Sequence, residues 1–404
     1  MESNRNNIRN NHKRTAVKRT STNKRKGGTQ NVNSFIKYLR SVKGTPDYFF
    51  LAIVIILLAY GIMMLFSAGS AKAYSDYGDV LYFVKNQLLG IGIGAVGMYL
   101  ASKIDYHIYG GKIAELLYGG CTVLLILVVV GLGTTVNGAT RWLFGFQPSE
   151  IAKIAIIILF SYKLSQPSGQ KNLKKFKKGF LPYLVLLGIY VILLALEPHF
   201  SCIILIGLTA MLLLFVAGAP LKYFIEIAVP AVIGIVVLIM IEPYRMARVM
   251  TFFDPFADMQ GSGWQIAQSL YAIGSGGIFG VGLGQSRQKF LSLPEPHNDF
   301  IFSVLSEELG LIGATLLIFL FILLLVRGIK IAAKAPDMFG MLLVVGIVGI
   351  VTLQALINIA VVTASIPVTG MPLPFFSYGS TALSITMTEM GIVLNVSRQS
   401  KLPI

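Results

Sequence analysis

A chain of 404 residues that is 55% hydrophobic and only 13% charged, with a mean hydropathy of +0.72, excludes an ordinary soluble domain. Its repeated apolar runs of about 20 residues are bilayer spans, and because they are continuous rather than alternating they exclude a β-barrel and predict an all-α polytopic membrane protein. The formal charge of +16 is no nucleic-acid footprint, since Lys and Arg gather at the N-terminus and in a few inter-helix segments, as orientation signals do.

In chain order, residues 1–47 are rich in Asn, Lys and Arg, lack an apolar segment and so carry no cleavable signal peptide. They are expected to form a disordered basic tail resting on anionic lipid. Ten spans follow, at about 48–69, 83–102, 112–132, 148–166, 180–197, 201–219, 221–242, 299–327, 339–364 and 377–397, within a membrane domain of 48–398 that leaves 399–404 as a short end. An even number of spans puts both termini on one side. With that side cytoplasmic, the inside segments together with the inner ends of the spans that flank them hold 26 of the 34 Lys and Arg, including the run Lys171 to Lys178, so the positive-inside rule orients the chain. Cys121 and Cys202 lie singly in apolar runs and read as small core residues, with no disulfide and no metal.

This orientation places nearly every proline and paired charge of the folded part on the outer face. The longest outer segment is an extracellular loop at 243–298 between helices 7 and 8, longer than the roughly 15 residues beyond which an unstructured loop is usually functional. Its stretch from Trp264 to Gly284 is apolar but interrupted by glycine, and predicts a short amphipathic helix followed by a re-entrant or interfacial turn. About eight glycines predict a loop whose position the chain alone does not fix; packing of Trp264, Leu270 and Tyr271 on the spans is the alternative. The glycines of G-S-G-G and G-V-G-L-G follow no strand and lack a Gly-Lys-Ser/Thr ending, which excludes a phosphate loop. No internal repeat is visible.

Candidate functional residues concentrate where this loop meets helix 8, in L-P-E-P-H-N-D-F-I-F-S-V-L-S-E-E-L-G from Leu293 to Gly310. Pro294 and Pro296 keep the backbone out of a helix where Glu295, His297 and Asp299 are gathered, so titratable groups stand at the mouth of a membrane helix. Simple helix capping by Asn298 or Asp299 is the alternative. Glu307 and Glu308 follow two turns inside, where an unpaired charge costs several kcal/mol. Glu150 and Lys153 share one face just after Pro148, as a local ion pair or as a site for an anionic head group. Arg141 beside Trp142 is placed to snorkel or to stack on the interface ring, while Arg245 and Arg248 are outer cations against the charge bias, which suggests an anionic partner, either a phosphate or Asp254 and Asp258. Glu197 and His199 flank Pro198 in a polar turn, while Glu389 and Asn358 are mid-span groups expected to hydrogen-bond between helices.

Two strings carry a resemblance: G-W-Q-I-A-Q-S-L-Y-A-I-G-S-G-G-I-F-G-V-G-L-G-Q-S-R-Q-K-F-L-S-L-P-E-P-H-N-D-F-I-F-S-V-L-S-E-E-L-G and G-M-P-L-P-F-F-S-Y-G. From about Asp47 to Arg398 the chain resembles the SEDS proteins of bacterial shape, elongation, division and sporulation, and G-L-G-Q-S-R-Q-K with D-P-F is closer to the FtsW/SpoVE branch than to RodA. The resemblance implies ten spans in the cytoplasmic membrane and polymerisation of lipid II into glycan strands on the outer face, beside a class B penicillin-binding protein with a single span. It makes Asp299 the essential loop aspartate and the Q-P-S-E-x-x-K motif the source of Glu150 and Lys153. Four places depart from the family pattern: Glu197-Pro198-His199-Phe200-Ser201 in place of Q-P-D-x-G-T, Lys85-Asn86-Gln87 in place of K-R-Q, Asn298 in place of Thr, and Ser380-Thr381 in place of Gly-Ser.

Glycosyl transfer from a polyprenyl diphosphate needs a base for the acceptor hydroxyl and positive charge for the leaving group. Asp299 is the expected base. Arg141, Lys153, Arg245, Arg248 and Lys85, with Glu150, Glu295 and His297, are the expected substrate-binding groups; Mg²⁺ or another divalent cation would share the diphosphate, and no organic cofactor is expected. A flippase for the lipid-linked precursor and a non-catalytic scaffold of a cell-wall synthase are the competing functions.

Overall fold

In a computed structural model the described residues are 42 and 44–400, apart from 137–138, 242, 258–260, 262 and 292. Among them ten helices run 16 residues or more: α1 (Tyr48–Tyr77), α2 (Tyr82–Lys103), α3 (Lys112–Leu127), α4 (Pro148–Ser165), α5 (Leu181–Leu196), α6 (Phe200–Val216), α7 (Leu221–Ile241), α8 (Ile301–Ala333), α9 (Met338–Val362) and α10 (Ser380–Arg398). Six of these are long and apolar enough to cross a membrane once α3 is continued to Leu132 and α5 is begun at Phe176. The expectation of an all-helical chain is corrected at one place. Thr134–Val136 (β1) and Ala139–Trp142 (β2) pair as an antiparallel ribbon with Thr134 opposite Trp142, because the Thr- and Val-rich stretch before α4 pairs more readily than it coils.

α9 occupies the centre, packed against α4, α6, α8 and α10, and its apolar surface is largely buried. Asp47, at the end of the sequence-defined tail, is instead the buried N-cap of α1: its Oδ1 accepts from Phe50 N at 2.9 Å and its Oδ2 from Arg327 Nε at 2.7 Å. Residues 1–41 and 401–404 lie outside the described residues. Cys121 and Cys202 are buried free thiols.

At the same end of the bundle as Asp47, His107 joins two connections. Its Nδ1 lies 2.6 Å from Asp105 Oδ1 and its Nε2 2.7 Å from Asp337 Oδ2, which also accepts from Tyr106 Oη at 2.7 Å. Burial lowers the affinity of His107 for its proton, but the two carboxylates outweigh it and lift its pKa to about 9. A raised histidine contributes stability that is complete below its unfolded value near 6.5 and is lost as pH rises through about 9. Hydrogen exchange of amides 104–110 is therefore expected to be slow at pH 7 and to accelerate, beyond its intrinsic pH dependence, near pH 9. His107→Ala should show the fast rate at both values, and identical protection in the variant at pH 7 would show that His107 does not hold the two connections together.

α8 is not continuous. Gly310 has φ 65° and ψ −164°, a conformation for which glycine is suited, and the helix breaks there. The freed carbonyls of Glu307 and Glu308 accept from the amides of Val281 and Gly282 at 3.0 Å each, while the amides of Leu311 and Ile312 donate to Gly277 O at 2.9 Å and Ile278 O at 3.3 Å. The glycine-rich turn thus replaces the hydrogen bonds that the break removes. Before it, the helix Trp264–Gly276 packs on α8, with Ser269 Oγ donating to Val362 O at 2.7 Å and lying 2.7 Å from Ser303 Oγ. Contrary to the freely positioned loop that the glycines predict, the segment is held by polar contacts to the bundle. Of the side chains expected to pack on the spans, Leu270 lies half-buried against the core, whereas Tyr271 is exposed and meets Phe256.

Candidate active site

At the other end of the bundle the connections before α4, between α5 and α6, before α8 and between α9 and α10 converge. The segment before α8 is fixed from several sides. Tyr378 N donates to His297 O at 2.9 Å, Ser377 Oγ to Asn298 O at 2.7 Å, and Asn358 Nδ2 to Asp299 O at 2.8 Å and Met371 O at 2.6 Å. Glu295 has φ 52°, a left-handed conformation unusual for a side chain with a Cβ, and its Oε2 accepts from Asn298 Nδ2 at 2.6 Å. His297 is buried in a stack on Phe83 at 4.1 Å; burial, ahead of the opposing pull of Glu295, lowers its pKa.

Asp299 is the perturbed carboxyl of this segment. Burial, then the charge of Glu295, raise its pKa against Arg248 and Arg141, to about 6. Arg248 donates through Nη1 to Val368 O at 3.0 Å, and Arg141 donates through Nε to Glu197 O at 3.4 Å and through Nη2 to Pro198 O. Two arginines are thus tied to backbone carbonyls around one half-buried aspartate. Glu197, whose Oε1 has no hydrogen-bond partner among the described residues, is pushed by burial to about 7, while burial and the cations Arg141 and Lys153 draw His199 to about 3.

Gly370, with φ +64°, stands against the carboxylate: a Cβ built there would be 3.3 Å from Asp299 Oδ2. Gly370→Ala would add left-handed strain of about 1–2 kcal/mol and press on that oxygen. It is expected to lower turnover several-fold while the protein stays folded, measured as initial rate per folded molecule; an unaltered rate would show that the carboxylate has room to spare.

The sequence-derived residues divide into three sets. Arg141, Arg248 and Glu295 act electrostatically on Asp299, and His297 holds its segment. Glu150 and Lys153 pair at 2.8 Å, with both side chains largely buried, and Lys153 Nζ donates to Gln354 Oε1 at 3.2 Å. Gln354 and Asn358 lie four apart on α9, so this pair sits about 6 Å deeper than the Asn358 contact to Asp299. Lys85 is engaged elsewhere, paired with Asp79 at 2.7 Å in an exposed bridge at the start of α2. The side chain of Arg245, and Asp258, lie outside the described residues. Sequence reasoning missed Gln354, Gly370, Lys289 and Ser67; two polar residues at i, i+4 in an apolar span was the available signal for Gln354 with Asn358.

Fold and site together define a class: a multi-pass helical membrane protein with a pKa-shifted carboxylate and fixed arginines at one end of its bundle. The chain belongs to the cell cycle protein family of FtsW, RodA and SpoVE, whose family model matches residues 48–402. It is 42% identical over 365 residues to stage V sporulation protein E of Bacillus subtilis (strain 168), covering 89% of this chain and 99% of that one. It is 40% identical over 367 residues to the probable peptidoglycan glycosyltransferase FtsW of Geobacter sp. (strain M18), covering 90% and 99%. Among solved structures it resembles a chain of a peptidoglycan synthase complex that coordinates polymerization and crosslinking, with a TM-score of 0.73, 27% identity and coverage of 88% and 98%. It also resembles the rod shape determining protein RodA of Thermus thermophilus, with a TM-score of 0.63, 26% identity and coverage of 89% and 98%.

Proposed function

We propose that this chain is a peptidoglycan glycosyltransferase that polymerises lipid II on the outer face of the cytoplasmic membrane, with all ten long helices as spans, both termini cytoplasmic and 243–298 extracellular. The observation that carries the reading is Asp299, a carboxylate lifted to about 6 by burial and within electrostatic reach of Arg248 and Arg141. Its ionised form takes the proton of the acceptor hydroxyl as that oxygen bonds to the anomeric carbon of the donor. The bond from that carbon to the diphosphate breaks, and the electron pair leaves on polyprenyl diphosphate beside the arginines. Among the described residues no three His, Cys, Asp or Glu side chains converge as a cation cage. A divalent cation that polymerisation requires would arrive with the diphosphate. The partner of this reading is a class B penicillin-binding protein, supported by the likeness to a chain of a synthase complex.

Purified protein with lipid II, alone and with such a partner, is expected to yield glycan strands. Translocation of fluorescent lipid II across liposomes without glycan product would favour the transporter, and partner binding with neither activity the scaffold.

A further inference from the structure

Two adjacent acidic residues, Glu307 and Glu308, lie about two turns inside α8, and the structure supplies their partners from the loop. Lys289 Nζ lies 2.7 Å from Glu308 Oε1 and donates to Ser67 Oγ of α1 at 3.1 Å; the Lys289 and Glu308 side chains are 2% and 0% exposed. Ser67 Oγ in turn donates to Glu308, and Ser286 N does so at 3.3 Å. Beside this pair, Glu307 accepts from Ser286 Oγ at 2.5 Å and from Arg287 N at 2.9 Å. Ions this deep persist only when paired and hydrogen-bonded.

The position of the pair gives it a consequence. Lys289 stands against Glu308 of α8, and Asp299 stands just ahead of the first residue of the same helix, Ile301, about 10 Å from Glu308 along the axis, so both residues are referred to one helix. The far end of the run between them is fixed by Asn358, Ser377 and Tyr378; its near end has Lys289. We propose that Lys289 is a positioning residue for Asp299, acting through its buried bond to Glu308 and Ser67 rather than by touching substrate. A base held within hydrogen-bond reach of an acceptor loses rate steeply when its segment drifts by even an ångström.

This rests on the polymerase reading, and the test separates the two. Lys289→Met strands the Glu308 charge and is at risk of misfolding, so Lys289→Met/Glu308→Gln, which removes both charges, and Lys289→Arg, which keeps the bond, are compared with the wild type. Both Met variants are expected to lose tenfold or more in kcat on lipid II with KM within about twofold, and to exchange the amides of Glu295, His297, Asn298 and Asp299 at least tenfold faster while α9 is unchanged. Lys289→Arg should regain at least a third of the wild-type kcat. Wild-type kcat and exchange in the folded double variant would overturn the positioning role. A wild-type protein that makes no glycan would overturn the polymerase reading instead, leaving the exchange comparison to decide for or against Lys289.

Discussion

Asp299→Asn is expected to lower lipid II polymerisation by a factor of about 10²–10⁴, the usual worth of a general base, while the protein folds as before. The substitution keeps shape and removes the charge. A carboxyl whose folded pKa is raised to about 6 opposes folding at neutral pH, because stability falls as pH climbs from its unfolded value near 3.9 through 6. The asparagine variant should therefore be at least as stable as the wild type at pH 7, so that lost activity cannot be ascribed to unfolding. The same shift sets the pH profile. Below about 6 Asp299 is protonated and useless as a base, and the rate should fall tenfold per pH unit; above it the rate should level. Arg248→Met removes a cation that holds the pKa down, and should move this limb to higher pH. A profile flat between pH 5 and 8, or an active asparagine variant, would assign the base elsewhere.

Lys153→Met carries the second large effect. Lys153 and Glu150 are a buried pair at 2.8 Å, with Gln354 on the ammonium and Glu389 of α10 within electrostatic reach. Removing only the cation leaves buried acids without compensation, a loss of about 3–5 kcal/mol when a buried pair is broken. Glu150→Gln/Lys153→Met removes the pair together and should recover most of that stability, since neutral replacement of a buried pair is often tolerated. Thermal unfolding in detergent by size exclusion reads both. Activity per folded molecule then decides whether the pair only supports α4 or also serves the substrate: a stable double variant with wild-type turnover would reduce it to a support. Equal stability of single and double variants would mean that Glu150 is not left uncompensated by the loss of Lys153.

Each of these groups was visible in the sequence for a different reason. Asp299 announces itself because a Pro-bounded run of ionisable residues ahead of an apolar helix has few structural uses. Glu150 and Lys153 follow from helical spacing, since residues three apart share a face whatever surrounds the helix. Lys289 gave no such sign. It lies in a polar, glycine-rich run where a lysine is ordinarily solvated, and its partner is 19 positions away across a turn with no regular period. The freely positioned loop that the glycines suggested is instead fastened to a broken helix, because composition records which residues permit flexibility but not which hydrogen bonds remove it.

The sequence by itself determined the helices and their order, since apolar length, proline and charge act locally along the chain and the bilayer demands internally bonded backbone. Tertiary structure alone decided the break at Gly310 and the turn that fills it, the burial of Lys289 against Glu308, the diversion of Lys85 to Asp79, and the placing of Gly370 against Asp299. All of these depend on contacts between residues remote along the chain, and the free energy of a charge or a backbone amide is set by whichever partner the packed bundle brings within about 3 Å.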